Sequence, residues 1–434
     1  MTAQTAAALE PVLDVLGVGF GPSNLGLAIA IDERNQAEDL GVKARFIERK
    51  PSFGWHRGML IEGATMQVSF LKDLVTMRNP VSGFSFLSYL HEKGRMADFI
   101  NHKDFYPSRL EFHDYLEWAA ARVASDVTYG TEVVGVEFDP EEGETLAVSV
   151  REVDDPRTVT VYRTRNLVIA SGLIPKLPEG VTRSERVWHS SELLDRLEEV
   201  RHGAPRRFAV VGAGQSGAEA TAHLHDVFPE AEVFSVIPRY GYSPADDSSF
   251  ANRVFDPDTV NEFFGSAADV KQKFYAYHAN TNYSVVDNDL ISELYRRSYL
   301  ESVKGHRRLH LLNMSRVDEV TTGPDDVHLR VRLMLDDTSR ELDVDYVVFA
   351  TGYHPMDCAG LLGGVLDSCK RESDGRLRVG RNYRVVTSED LTPGIYVQGG
   401  VELSHGITSS LLSNIAVRSG EIVDSILQRP VPTA

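Results

Sequence analysis

The sequence predicts an α/β protein with two Rossmann-like dinucleotide-binding domains and a small, mostly helical region beside them. An apolar run, a glycine-rich turn and a helical pattern follow one another twice, at 12–31 and again at 207–227. In such a unit the turn and the helix N-terminus direct backbone N–H groups and a positive dipole at a pyrophosphate. The length of 434 residues suffices for two or three separate cores.

Several further elements follow in chain order. The run 44–47, ending at Glu48, predicts the second strand of the first unit, whereas 50–79 is irregular. A capping-box pattern at Ser108–Glu111 precedes a helix. The runs 127–138 and 146–151 predict antiparallel strands, and those at 167–172 and 345–350 predict buried strands that end at glycine-containing turns.

These elements predict a discontinuous domain organisation. We expect residues 1–203 to form the first part of one dinucleotide-binding domain and residues 341–434 to complete it. The second dinucleotide-binding domain then occupies 204–340. A polar and aromatic stretch at about 240–300 interrupts it and predicts the helical region.

Composition excludes several classes of protein. Lys and Arg total 45 against 63 Asp and Glu, and this charge of -18 argues against a nucleic-acid or anionic-membrane partner. Cys358 and Cys369 form neither a C-x-x-C pair nor a zinc-finger pattern, so no metal site is expected. The N-terminus has no signal-peptide pattern and no run is long enough for a membrane span, which predicts a cytoplasmic protein.

The first glycine turn fits FAD. Gly17 and Gly19 have the expected spacing, and Pro22, with Gly21 just before it, stands where the third glycine would be, at a position where helices tolerate proline. Glu48 ends the second strand and offers a carboxylate to the hydroxyls of an unphosphorylated ribose.

The second glycine turn fits NADPH. Gly212, Gly214 and Gly217 have the full G-x-G-x-x-G spacing. Its second strand is followed by Ser235 rather than by an acid, and Arg239 lies nearby. Because a guanidinium binds a 2′-phosphate that a carboxylate would repel, NADPH is preferred over NADH. The alternative for Arg239 is a solvated loop charge.

Two dinucleotide units in one chain imply electron transfer between a nicotinamide and a flavin. A disulfide reductase would need a redox-active cysteine pair, which this sequence lacks. Oxygen is therefore the simplest acceptor. A flavoprotein that senses redox state without oxygenating anything remains the alternative of another class.

Five segments carry a resemblance to a known family. They read GVGFGPSN at 17–24, MQVSFLKDLVT at 66–76, FYPSR at 105–109, NTNYS at 280–284 and ATGY at 350–353. In this order and over nearly the whole chain they resemble the L-ornithine N-monooxygenases of hydroxamate siderophore biosynthesis. The resemblance implies that NADPH reduces FAD, that O2 adds to the reduced flavin as a hydroperoxide, and that the side-chain amine of ornithine attacks it. A homo-oligomer, a tetramer in the family, is also implied.

The resemblance assigns roles to individual positions. The FAD contact region spans Glu48 to His56, with Trp55, Gln67 and the backbone of Val133, and the pyrophosphate of NADPH lies on Gly214, Gln215, Ser216 and Gly217. Ser410, Leu411 and Leu412 form the segment under the flavin. Lys72 meets the substrate carboxylate, Asn252 its α-amino acid end and Ser413 another part of it. Asn282, shared by substrate and nicotinamide, and Gln67 are the catalytic candidates.

Several of these positions have a structural alternative. Lys72 needs an anion in its apolar surroundings, which the substrate or a protein acid such as Asp73 could supply. Asn252 and Asn282 could instead bond local backbone. His56 and His405 are interpreted as structural, and no general base is assigned.

The identity of the amine stays open at this point. The stretch 403–410 departs from the Thr-His-Gly-Leu-Ser pattern of the ornithine enzymes. Putrescine, cadaverine or lysine is therefore the alternative substrate for the same chemistry.

Overall fold

Two parallel β-sheets form the centre of the protein. The computed structural model describes residues 11–139 and 144–428. Within them the strands are β1 Val15–Val18, β2 Ala44–Glu48, β3 Asp126–Tyr129, β4 Thr131–Phe138, β5 Leu146–Glu152, β6 Val159–Thr164, β7 Asn166–Ile169, β8 Leu173–Pro175, β9 Val187–His189, β10 Arg207–Val211, β11 Glu232–Val236, β12 Leu309–Leu312, β13 Ser315–Thr322, β14 Val327–Leu333, β15 Thr338–Val344, β16 Tyr346–Phe349, β17 Tyr353–Pro355 and β18 Gly394–Val397.

Helices cover the sheets and form the region around 240–300. In chain order they are α1 Pro22–Glu38, α2 Phe86–Glu92, α3 Met96–His102, α4 Arg109–Ala120, α5 Leu193–Val200, α6 Gln215–Val227, α7 Pro257–Gly265, α8 Ala268–His278, α9 Asn288–Lys304, α10 Glu402–His405 and α11 Ile415–Leu427. No described helix has the combined length and apolarity of a membrane span.

The first sheet has the order β18-β7-β1-β2-β3 and is parallel throughout. Its central strand β1 is fully buried and belongs to one hydrophobic core together with residues of α1, α4 and α11. This burial explains why the strand is a continuous apolar run rather than an alternating one. The predicted strand, turn and helix at 12–31 are confirmed, although the helix extends to Glu38.

The second sheet has the order β12-β11-β10-β16-β9, also parallel. It takes β9 from before residue 203 and β16 from after residue 340. The borders expected at 203/204 and 340/341 therefore do not coincide with the limits of this sheet. Short strands such as β9, with three residues, carry too little periodicity to be recognised in the sequence.

One expected strand is in fact two. Residues 127–138 were predicted as a single antiparallel strand, but the chain turns at Gly130, whose φ is +68°. Before it β3 pairs parallel with β2, and after it β4 pairs antiparallel with β5. The prediction was wrong because both halves are rich in β-formers and only the turn separates them.

Helices α1 and α11 cross at a glycine. A Cβ on Gly26 would lie 2.4 Å from Cγ2 of Ile415 and 3.1 Å from Oγ of Ser419. Because Ile415 is β-branched and buried, it has few alternative rotamers with which to yield. The absence of a side chain at residue 26 thus allows α11 to approach α1 this closely.

Gly26→Ala should lower the free energy of unfolding by about 1–3 kcal/mol, because the methyl group overpacks this crossing. Urea denaturation of the purified protein measures the effect. Gly265→Ala is the matched control, since a Cβ there meets nothing within 4 Å. Equal stability of the two variants would contradict the close-packing argument.

Candidate active site

The first glycine turn, Gly17 to Pro22, connects β1 to α1 in a conformation that side chains would disturb. A Cβ on Gly17 would lie 2.2 Å from Cδ1 of Phe46, and one on Gly19, where φ is +80°, would lie 2.6 Å from the carbonyl oxygen of Ala170. Gly21 differs, because its Cβ would meet nothing within 4 Å and its φ is -88°. Neither packing nor strain demands glycine there, whereas the close approach of a phosphate would.

Glu48 lies where the ribose-binding carboxylate was expected. It is buried at the end of β2, and its two oxygens accept the backbone N–H groups of Phe20 (2.7 Å) and Lys50 (2.9 Å). These bonds hold the carboxylate against the first glycine turn. Each oxygen keeps acceptor capacity for a ligand hydroxyl.

The expected FAD contact region continues through Trp55 and His56. The two rings are in edge contact, with centroids 4.7 Å apart, and His56 has a left-handed φ of +50°. Enclosure by the surrounding protein, reinforced by the positive charges of Arg109 and Lys50, lowers the pKa of His56 to about 4. The residue as a whole is nevertheless exposed, as is typical of a residue in the wall of a cleft. His56 is therefore neutral at pH 7.

Val133 lies at an irregularity in β4. The register with β5 shifts between Val133 and Gly135, and β4 packs beside β2. Its backbone is thus close to the strand that ends at Glu48.

The second glycine turn shows the same features. A Cβ on Gly212 would lie 2.3 Å from the carbonyl oxygen of Ala350, and one on Gly217 would lie 2.6 Å from that of Gly212. Gly214 is the N-cap of α6, and a Cβ there would lie 3.5 Å from Cα of Ser284, an ordinary contact distance. Gln215 and Ser216 begin α6, so their N–H groups belong to the first turn of the helix.

Arg239 lies beside this turn. It is exposed, and its Nη1 donates to the backbone oxygen of Ser284 at 2.9 Å. Ser235, at the end of β11, is buried, and its hydroxyl bonds that of Tyr242 at 2.7 Å. The strand thus offers Ser235 instead of a carboxylate, and the guanidinium of Arg239 is exposed beside it. Both features fit a ribose that carries a 2′-phosphate.

A polar network joins the two glycine-turn units. Asp287, the N-cap of α9, accepts from Gln67 (2.9 Å) and from Gln215 (2.9 Å). Gln215 also donates to Glu219 (3.0 Å), which makes a double hydrogen bond with Arg109 at 2.9 and 2.7 Å. This series of hydrogen bonds links Gln67 and Arg109 of the first unit to the N-terminal turns of α6. Asp287 and Glu219 had no recognisable signal in the sequence.

Lys72 has no ion pair with any described residue within 4.0 Å. Its ammonium group lies 5.8 Å from the ring centroid of Phe255. Burial lowers the pKa of Lys72, and the charge of Asp256 opposes that effect from beyond ion-pair distance.

Asp73 is not the partner of Lys72. Its carboxylate accepts from the backbone N–H groups of Val75, Thr76 and Phe86, at 2.9, 2.6 and 2.8 Å, and from the hydroxyl of Thr76. The aspartate therefore organises the loop that presents Lys72. A salt bridge between these neighbours, the alternative expected from the sequence, is absent.

Asn252 lies in the 3₁₀ turn Ala251–Phe255, which also brings Phe255 to Lys72. Its Nδ2 donates to the backbone oxygen of Asp247 at 2.7 Å, so Asn252 does bond local backbone, as the structural alternative expected. Its Oδ1 accepts no hydrogen bond within the described parts of the chain.

The turn Ala251–Phe255 packs against the turn Ile407–Ser410. There the hydroxyl of Ser410 is buried without a partner among the described residues. Leu411 and Leu412 follow, and Ser413 is buried with its hydroxyl 3.3 Å from that of Thr408. Lys72, Asn252 and the C-terminal segment are thus brought into one region.

Asn282 belongs to the segment that reaches the second glycine turn. It ends the 3₁₀ turn Ala279–Thr281 and is followed by Tyr283 and Ser284. Burial and the negative charge of Glu402 raise the pKa of Tyr283 to about 12. No hydrogen bond or ion pair joins Asn282 to Lys72 in the described structure.

His405 has a structural role, as interpreted from the sequence. It is buried, its Nδ1 lies 2.8 Å from the hydroxyl of Ser404 and its Nε2 lies 3.1 Å from the carbonyl oxygen of Gly380. Its ring stacks on Tyr383 at 4.5 Å. Both ring nitrogens are occupied, and burial lowers the pKa of His405 to about 4.

Sequence reasoning missed three residues behind the first glycine turn, Asn24, Gln398 and Arg418, all buried. Asn24 donates to the carbonyl oxygens of Val18 and Gly19. A charged residue within the apolar pattern of α11 was the available signal for Arg418.

These two glycine turns, with a carboxylate beside one and an arginine beside the other, define an oxidoreductase that binds two dinucleotides. Comparison with known proteins specifies the class. Residues 11–355 match the model of the L-lysine 6-monooxygenase/L-ornithine 5-monooxygenase family. The chain belongs to this family.

Individual relatives cover nearly the whole chain. The structure of the ornithine N-hydroxylase of Kutzneria sp. 744, with reduced FAD, NADP+ and L-ornithine, is 47% identical, with a TM-score of 0.92 over 96% of this chain and 99% of that one. The L-ornithine N(5)-monooxygenase of Pseudomonas aeruginosa is 37% identical over 100% of this chain and 97% of its own. The cadaverine monooxygenase of Erwinia amylovora, bound to FAD, is 25% identical, with a TM-score of 0.84 over 97% and 95% of the two chains.

Arg109→Met should lower the free energy of unfolding by about 3–5 kcal/mol, because it leaves the buried carboxylate of Glu219 without its cation. Urea denaturation measures this loss. Arg296→Met, which removes an exposed pair with Glu293, should cost less than about 1 kcal/mol. Similar losses in both variants would contradict the importance of the buried pair.

Proposed function

We propose that the protein hydroxylates the side-chain nitrogen of L-ornithine, using NADPH and O2. The observation that carries the choice of substrate is Lys72, a half-buried cation without an ion pair in the described chain, next to the turn that holds Asn252. A substrate carboxylate would provide the missing anion. Similarity to ornithine-hydroxylating relatives over the whole length supports the same conclusion.

The chain's residues fit FAD at the first glycine turn. Gly17 and Gly19 permit the turn, Gly21 leaves room for a phosphate, and Glu48 can accept from ribose hydroxyls. Trp55, His56, Gln67 and the backbone of Val133 would contact the rest of FAD, and Ser410, Leu411 and Leu412 would lie under the flavin. Bound FAD, once reduced by NADPH, supplies the activation of O2 that the hydroxylation requires.

The second turn fits NADPH. The N–H groups at Gly214 to Gly217 and the N-terminus of α6 would hold the pyrophosphate. Arg239 would bind the 2′-phosphate, and Asn282, two residues before Ser284, would face both nicotinamide and substrate. Gln67 and Asn282 are the candidates for contact with the reacting groups.

The substrate pocket has to deliver a neutral amine. A free alkyl amine has a pKa of about 10.4 and is protonated at neutral pH. Desolvation between the flavin ring and the protein would lower that value, as burial already does for Lys72. Lys72 would anchor the carboxylate, with Asn252 and Ser413 at the amino acid end, so that only the distal nitrogen reaches the flavin.

A diamine is the less favoured alternative. Putrescine and cadaverine have no carboxylate to pair with Lys72, and the relative that acts on cadaverine shares only 25% identity with this chain. The carboxylate of a lysine substrate would pair with Lys72, but its side-chain nitrogen lies one methylene further from that carboxylate than the nitrogen of ornithine.

The proposal is tested by measuring hydroxylamine formation with FAD-loaded protein and NADPH. Ornithine, lysine, putrescine and cadaverine serve as substrates, and peroxide release is followed in parallel. Ornithine should give hydroxylamine with the least peroxide. Peroxide alone with every amine would favour a flavoprotein that oxygenates nothing.

We further propose that the product enters a hydroxamate siderophore pathway, and that the protein acts in the cytoplasm as a homotetramer. The family resemblance supports these points. Light scattering of the purified protein tests the oligomeric state.

Lys72→Met should raise the KM for ornithine by about 10- to 100-fold, the effect of losing one charge-assisted interaction. The rate of flavin reduction by NADPH should stay unchanged, because Lys72 contacts neither dinucleotide in the proposal. Steady-state and stopped-flow kinetics separate the two quantities. Lys273→Met, on the exposed face of α8, is the matched control, and an unaltered KM in the Lys72 variant would exclude the carboxylate role.

Arg239→Ala should raise the KM for NADPH by about tenfold or more while leaving that for NADH nearly unchanged, since only NADPH carries the 2′-phosphate. Flavin reduction with each coenzyme provides the measurement. Arg207→Ala, an exposed arginine at the end of β10 opposite the second glycine turn, is the control. Parallel losses with both coenzymes would contradict a phosphate-specific role.

A further inference from the structure

Arg418 is a fully buried cation whose hydrogen bonds all go to neutral groups. Its Nε donates to Oε1 of Gln398 (3.1 Å), its Nη2 to the hydroxyl of Ser23 (3.0 Å) and its Nη1 to the backbone oxygen of Ser409. Its exposure is 0%. No carboxylate of the described residues lies within 4.0 Å of the guanidinium.

The nearest acids do not neutralise Arg418. Glu421 is held by Arg381 through two hydrogen bonds of 2.8 Å. Glu402 and Glu421 attract Arg418 only from beyond ion-pair distance, and burial lowers the pKa of Arg418. An arginine remains protonated in proteins, so the structure contains a buried positive charge that requires a counter-ion.

The hydrogen bonds of Arg418 lead to the first glycine turn. Ser23 is the second residue of α1, directly after Pro22. Gln398 donates to Oδ1 of Asn24 (3.0 Å), and Asn24 donates to the carbonyl oxygen of Gly19 (2.7 Å). The cation therefore lies behind the N-terminus of a helix that itself favours an anion.

We propose that Arg418 is the buried counter-charge for the diphosphate of FAD, acting through Ser23 and the first turn of α1. This inference rests on the proposed function in one respect, namely that FAD occupies the first glycine turn. Arg418 does not touch the cofactor and is a positioning residue. Arg418 also donates to the backbone oxygen of Ser409, which lies in the segment before Leu411 and Leu412.

The test is FAD binding by the apoprotein, measured by flavin fluorescence titration, with thermal unfolding followed with and without FAD. Arg418→Met should weaken FAD binding by about 10- to 100-fold, whereas Arg418→Lys, which keeps the charge, should stay within about threefold of wild type. At a fixed FAD concentration the FAD-induced rise in Tm should shrink in the methionine variant.

Arg34→Met is the matched control, because Arg34 bonds Asp424 at 2.7 Å and joins the same two helices at the surface. It should leave FAD affinity unchanged. Equal FAD affinity in wild type and Arg418→Met, or equal weakening in Arg418→Met and Arg418→Lys, would overturn the proposal.

If Arg418→Met fails to fold, Gln398→Glu tests the role of Arg418 in FAD binding instead. It places a carboxylate about where Oε1 lies 3.1 Å from Nε of Arg418, and this local counter-ion should weaken FAD binding about tenfold or more by competing for the charge. Unchanged affinity would contradict the proposal. Failure of the wild-type apoprotein to bind FAD would instead contradict the proposed function itself.

Discussion

The buried pair of Arg109 and Glu219 is the interaction on which the arrangement of the two sheets depends. Arg109 begins α4, whose apolar residues belong to the same core as the first sheet, and Glu219 lies in α6, which follows the second glycine turn. Two hydrogen bonds and near-complete burial fix the geometry of this pair more strictly than a surface contact could. Gln215, Asp287 and Gln67 extend this contact, so the network holds the second glycine turn in a fixed position relative to residues of the first unit.

Charge is distributed unevenly around the site. The chain has 18 more acidic than basic residues, yet Lys72, Arg239 and Arg418 have no carboxylate within ion-pair distance among the residues described. The three cations differ in burial, but each lies next to a position proposed for an anionic group: a substrate carboxylate, a 2′-phosphate and a diphosphate. Ligand anions rather than protein acids would thus neutralise the interior of the site.

The glycines show how local geometry and ligand contact can be separated. Gly17, Gly19, Gly212 and Gly217 are required by contacts within the protein, since a Cβ at each would collide with a neighbouring atom. Gly21 meets no such obstacle. The spacing of glycines in the sequence does not reveal these differences, whereas the structure shows which glycines the turn itself requires and that Gly21 leaves space for a ligand.

The sequence by itself determined the two strand-turn-helix units, the buried strands that follow them and the family, because apolar periodicity and glycine spacing are local properties of the chain. Tertiary structure decided which strands share a sheet, that Asp73 serves the loop rather than Lys72, and that Asn24, Gln398 and Arg418 meet behind the first turn. These residues lie up to 394 positions apart. Their contacts depend on how separate segments pack, and no local pattern records that packing.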